Sequence, residues 1–183
     1  MIKLKLKANF DKSGDPFVVK LCAHDRKLLA DTSKEDIGIY KNEINFLSVD
    51  SEKGKFQIFT EDEDDYHGDV ILCIPEGKRV QRIYRANSLN NTFLFTERCD
   101  QMCAMCSQPP KTSIDKWRFP HFQKAIELSD PNSTIGISGG EPTLYKDITK
   151  LISMINEGIN LSMTTNFAGS FRLDKWFEEV PVD

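Results

Sequence analysis

From Thr92 onward, apolar runs short enough to be strands alternate with runs whose apolar residues recur at helical spacing, and this alternation restricts the fold more than any other feature. Thr92 to Thr96, Thr134 to Ser138 and Asn160 to Asn166 read as strands. Between them, Phe119 to Leu128 reads as a helix entered through Phe119-Pro120. Leu144, Ile148, Leu151, Ile152 and Ile155 share the face of a second helix, which Gly158 is placed to end. Leu173 to Glu179 reads as a final helix. Repeated units of this length make right-handed parallel crossovers, so the expected class is α/β.

Upstream the signals differ. Ile2, Leu4 and Leu6 alternate with lysines, and Phe17-Val-Val-Lys-Leu, Phe56-Gln-Ile-Phe, Asp69-Val-Ile-Leu-Cys-Ile and Arg79-Val-Gln-Arg-Ile-Tyr are strand-like. Ser13-Gly-Asp-Pro16, Glu52-Lys-Gly54 and Pro75-Glu-Gly77 separate them as turns, through the conformational freedom of glycine or the fixed φ of proline. Residues 1–86 are therefore expected to form a small β-rich domain and residues 87–183 the α/β part, joined by the polar stretch Ala86 to Asn91. The acidic run from Glu61 to Asp65 is expected to be a solvated loop.

With 183 residues, 39% hydrophobic and 28% charged, the chain can bury a core. Its 24 basic and 28 acidic residues leave a formal charge of -4, which gives no argument for a nucleic-acid partner. Met1-Ile-Lys-Leu-Lys-Leu-Lys lacks the continuous apolar core of a signal peptide, and no later run reaches membrane-span length. A cytoplasmic protein without a membrane partner is the expectation. Five cysteines, an odd number, do not form a disulfide framework and fit a reducing compartment. Cys22 and Cys73 sit in apolar surroundings as structural thiols.

The other three cysteines are Cys99, Cys103 and Cys106, spaced Cys-x3-Cys-x2-Cys. Three close thiolates with no fourth Cys or His at short range suit a four-iron cluster that keeps one iron open. The alternative is a zinc site completed by His121, Cys22, Cys73 or His67. Downstream, Gly139-Gly140-Glu141-Pro142 follows the second strand; its glycines allow close backbone approach, and its glutamate accepts from a cationic group. Thr165 and Asn166 end the third strand, placed either to touch cofactor or substrate or to cap a turn. Ligands of such sheets lie beyond the carboxyl ends of the strands, where the cysteine loop, the Gly-Gly-Glu-Pro turn and Thr165-Asn166 all fall.

In order and spacing, the triplet and the Gly-Gly-Glu-Pro turn resemble the radical S-adenosylmethionine superfamily. The resemblance implies a partial (β/α)6 TIM-like barrel, of which this chain would hold the first three strand-helix units, and hence an amino-terminal fragment or truncated reading frame. It implies that Cys99, Cys103 and Cys106 hold a [4Fe-4S] cluster. S-adenosyl-L-methionine would bind the open iron, with its amino group on Glu141, backbone contacts from Gly139 and Gly140, and Pro142 fixing the turn. A reduced cluster would then cleave the cofactor to a 5′-deoxyadenosyl radical. Met105 stands where the family usually has an aromatic residue near the adenine, and its thioether can pack on a flat ring. The stretch from Asn90 to Lys111, with Ile137 to Tyr145, Gly68-Asp-Val-Ile-Leu and Ile83-Tyr-Arg-Ala-Asn-Ser, is similar to the His-Xaa-Ser system radical maturase of the C type. That branch implies a ribosomally made peptide with His-Xaa-Ser repeats as substrate, a second radical maturase as partner, and a reductant such as flavodoxin or ferredoxin. The competing reading is a catalytically incomplete iron-sulfur or zinc fragment that only binds a partner.

Overall fold

A computed structural model describes residues 4–28, 32–60, 64–106, 111, 117–145, 148–153 and 158–166. The helix expected at Leu173 to Glu179 lies outside the described residues.

Seven strands come first: β1 (Lys5–Phe10), β2 (Phe17–Ala23), β3 (Ile37–Glu43), β4 (Phe46–Ser51), β5 (Gly54–Phe59), β6 (Val70–Ile74) and β7 (Arg79–Tyr84). They close into a barrel in the order β1-β5-β4-β3-β2-β6-β7, antiparallel throughout except for the parallel pair β2-β3. Period-two alternation sends Leu6 and Ala8, Leu47 and Val49, and Phe56 and Ile58 inward. Gly38 also faces inward, where an added Cβ would lie 2.9 Å from Val49 Cγ1. The turn after β6 takes its positive φ at Lys78, at 46°, and not at Gly77.

Beyond the barrel, β8 (Asn90–Thr96), β9 (Thr134–Gly139) and β10 (Asn160–Met163) form a parallel sheet in the order β10-β9-β8. Helix α1 (Arg118–Glu127) joins the first two strands, and α2 (Ile148–Ser153) lies between the last two. Pro120 sits in the first turn of α1, where no intrahelical N–H bond is lost. Phe122, Ala125 and Ile126 form its buried face. Phe122 stacks on Phe93 at 5.5 Å, and Phe95 meets Tyr145 edge-on at 4.9 Å.

These findings correct the expected fold class. The chain is mostly β, its largest unit is a closed seven-stranded β-barrel, and it is not an α/β TIM-like barrel of βα units. The sequence reading expected a small β-rich domain over residues 1–86, but not that its strands close into a seven-stranded barrel that outweighs the strand-helix part. It also missed β4, and it missed β3 because there the isoleucines face outward while Gly38 and Tyr40 face the core. Asn90 and Asn91, expected in a linker, open β8, and the buried Asn91 side chain accepts from Arg85 N at 2.8 Å.

Barrel and sheet share a second core. Val18, Val70, Leu72 and Ile83 point outward from the barrel and pack with Phe93, Phe95, Phe122, Ile135 and Ile137. Lys20, 1% exposed, leaves the same wall and donates to Asp130 Oδ1 at 2.6 Å, just past α1. The acidic run is also more engaged than expected: Asp64 binds Arg82 at 2.8 Å and Asp65 binds Arg26 at 2.7 Å.

Candidate functional site

The carboxyl ends of the three sheet strands meet at one rim. There the Gly-Gly-Glu-Pro turn is pressed against the start of the cysteine loop: Gly140 N donates to Thr96 O at 2.8 Å and Glu141 N donates to Arg98 O at 2.7 Å. An added Cβ would lie 2.1 Å from Thr96 O at Gly139 and 2.1 Å from Arg98 O at Gly140, both rigid backbone atoms. Gly139 also has a φ of 148°, which side-chain-bearing residues rarely adopt. Both glycines thus admit the backbone that carries Cys99.

Glu141 is fully buried. Its Oε1 accepts from Thr143 N at 3.0 Å, Thr143 Oγ1 at 2.5 Å and Thr165 Oγ1 at 2.7 Å, and its Oε2 accepts from Asn166 N at 2.7 Å. Burial alone would raise its pKa, but the hydrogen bonds from Thr143, Asn166 and Thr165 outweigh that and hold the carboxyl below its ordinary value. Pro142 opens a single 3-10 turn, Pro142–Leu144, at the position where its missing N–H costs nothing.

Asn166 carries the connection on to the cysteines. Its Nδ2 donates to Asp100 Oδ1 at 3.0 Å and lies 3.9 Å from Cys99 Sγ. Gln101 N donates to the same sulfur at 3.5 Å, and Cys106 N donates to Cys103 O at 3.1 Å. Cys99 is half-buried, while Cys103, Cys106 and Met105 are exposed, Met105 at 97%. Among the described residues no three His, Cys, Asp or Glu side chains gather closely enough to hold a metal ion. The structure therefore brings Glu141, Thr165, Asn166 and Cys99 together and leaves Cys103, Cys106 and Met105 outward on the loop.

The neck of that loop is closed by Glu97, Lys111 and Arg118, none of which was among the site residues expected from the sequence. Glu97 O accepts from Lys111 N at 2.9 Å, and its carboxylate accepts from Lys111 Nζ at 2.6 Å and Arg118 Nη2 at 2.9 Å. The Lys111 hydrogen bond, reinforced by Arg118, holds the Glu97 pKa below its ordinary value against burial. A carboxylate before the first cysteine and a lysine after the third was the available signal.

The zinc alternatives fare poorly. Cys73 lies inside the barrel, where burial pushes its thiol pKa well up. His67 accepts from Ala23 N at 3.2 Å through Nδ1 and so donates through Nε2 to Lys27 O at 3.1 Å. Cys22 donates to Arg26 O at 3.3 Å, and His121 packs edge-on against Trp117. Among the described residues, the donor set that remains is three soft thiols without a fourth ligand, which fits a cluster with one open iron. No helix among the described residues is long and apolar enough to cross a membrane.

No family model matches the chain, and no solved structure matches it. It is 32% identical over 98 residues to a GTP 3',8-cyclase of Clostridium botulinum (strain Okra / Type B1), a radical S-adenosylmethionine enzyme. The match takes in 48% of this chain and 30% of that enzyme's length. This likeness supports the superfamily, and with it a [4Fe-4S] cluster and S-adenosyl-L-methionine in general terms, but no particular branch.

Proposed function

We propose, from kinship with radical S-adenosylmethionine enzymes, that the chain carries the cluster and cofactor end of a peptide-modifying radical enzyme. The observation that supports this best is the meeting of three strand ends at one rim, where Glu141 joins Thr165 and Asn166 to the turn that abuts Cys99. In this reading Cys99, Cys103 and Cys106 are the cluster ligands. When bound, the reduced cluster would supply one electron to the cofactor sulfonium.

The protein's own residues have separate tasks. Gly139 and Gly140 hold the turn against the cysteine loop, and Pro142 sets its exit. Glu141 keeps a negative charge at the rim, and four donors already surround it, so it aligns Thr165 and Asn166 as much as it faces the methionine amino group. Met105, outward on the loop, is available to cover the adenine. Residues 87–183 would be the cofactor-bearing unit and residues 1–86 its companion. The substrate would be a ribosomally made peptide with His-Xaa-Ser repeats, handled with a second radical maturase and a flavodoxin or ferredoxin.

The test is the electron paramagnetic resonance spectrum of anaerobically reconstituted, reduced protein with and without S-adenosyl-L-methionine. A four-iron signal that changes with the cofactor and disappears in Cys103→Ala is expected. An unchanged signal, or zinc in place of iron, would sink the proposal. A mass change in a His-Xaa-Ser peptide, with release of 5′-deoxyadenosine, tests the substrate.

A further inference from the structure

A groove between the barrel and the sheet is lined by none of the three cysteines, Glu141, Thr165 or Asn166. β8 is the outermost strand and, among the described residues, ladders only with β9, so its other edge presents main-chain donors and acceptors. Five successive residues, 90–94, form one wall of a cavity of about 550 Å³, and Lys5, Gln81 and Arg85 stand on the other. A second cavity of about 210 Å³, beside the start of α1, shares Lys5, Gln81, Leu94 and Phe122 with the first.

This second part is strongly basic. Among the described residues, Lys5, Arg79, Lys111 and Arg118 line it with Glu97 as the single carboxylate. Lys111 and Arg118 share Glu97, whereas Lys5 and Arg79 are exposed and have no ion pair among the described residues. The first turn of α1 has no acidic residue, and Trp117 makes no side-chain cap, so the positive helix end adds to the same field. In the larger cavity Arg85 Nε is buried without a hydrogen-bond partner. A main-chain edge in line with a cluster of cations matches a ligand that alternates amide groups and carboxylates; a free phosphate would use the cations and leave the edge unpaired.

We propose that this groove binds an extended acidic peptide segment, paired with the free edge of β8 and with its carboxylates on Lys5, Arg79 and the start of α1. The inference rests on the peptide reading above and names the chemistry of the segment that would dock there.

Calorimetric titration with a blocked peptide alternating Glu and Val tests it. Saturable binding is expected, weakened on the order of tenfold in Lys5→Glu/Arg79→Glu and unaffected by Lys41→Glu on another barrel wall. Alternate N-methylation of the peptide should also weaken it by removing edge hydrogen bonds. Equal binding of a Lys-Val peptide, indifference to the paired variant, indifference to N-methylation, or binding of inorganic phosphate alone would overturn the proposal. The readout needs no turnover, so a cluster that fails to change with cofactor would remove the enzymatic reading while leaving this binding result to stand or fall by itself.

Discussion

Asn166 donates its backbone N–H to Glu141 Oε2 at 2.7 Å, joining the segment that follows β10 to the turn after β9. Replacing Glu141 with Ala would strand that donor and those of Thr143 and Thr165 in a buried space. The expected cost is roughly 3 kcal/mol, read from urea denaturation, because buried donors to a carboxylate lose both partner and solvent.

The same carboxylate gives a pH signature. Its folded pKa lies below the unfolded value, so its contribution is complete above the unfolded pKa and is lost as pH falls through the folded one. Melting temperature should therefore fall more steeply on acidification in the parent protein than in Glu141→Gln. Parallel curves would mean that Glu141 ionises alike in both states.

Gly140→Ala drives a methyl group onto Arg98 O, which belongs to backbone and cannot turn aside. A loss of about 3 kcal/mol is expected. Gly136→Ala is the comparison: its Cβ would meet a Thr92 hydroxyl at 3.1 Å, a side-chain atom that can yield, and it should cost much less. Thermal unfolding of the two variants decides the point.

Lys111→Ala should hardly change global stability, by less than about 1 kcal/mol, because the Lys111 side chain of its pair with Glu97 is exposed. Its effect should appear in the loop: faster proteolytic cleavage between residues 97 and 111, and lower iron content after reconstitution. Unchanged cleavage would show that the neck is held by the Lys111 N to Glu97 O bond alone.

Lys20→Met strips Asp130 of its ammonium partner and is expected to destabilise by about 3 kcal/mol, whereas Lys20→Met/Asp130→Asn should recover most of that. A double-mutant cycle in urea measures the difference.

How far the chain could be read in advance varied with the kind of signal. Phe93 with Phe95, and Ile135 with Ile137, alternate cleanly because each strand packs one face on a helix, so β8 and β9 were legible. Ile39 is half exposed while Gly38 lies inward, so apolar periodicity misassigns β3, and with β3 unseen the closed barrel could not be inferred. At the rim, Glu141, Thr165 and Asn166 were placed by the rule that ligands gather beyond strand ends. That Thr165 and Asn166 would join Thr143 in enclosing Glu141 depends on chain segments 24 and 25 residues apart and leaves no local pattern. The pairing of Glu97 with Lys111 spans 14 residues, and its trace in the sequence is the carboxylate before the first cysteine and the lysine after the third.

β2, β6 and β7 are covered on both sides, with Val19, Ile71 and Val80 in the barrel interior and Val18, Leu72 and Ile83 under the sheet and α1. Parting the sheet from the barrel would wet the outer row of these strands, and opening the barrel would remove the floor on which Phe93 and Phe122 rest. Neither half can loosen in isolation. Thermal or chemical unfolding should run through barrel and sheet as one cooperative event, with the slowest-exchanging amides in the strands that belong to both cores.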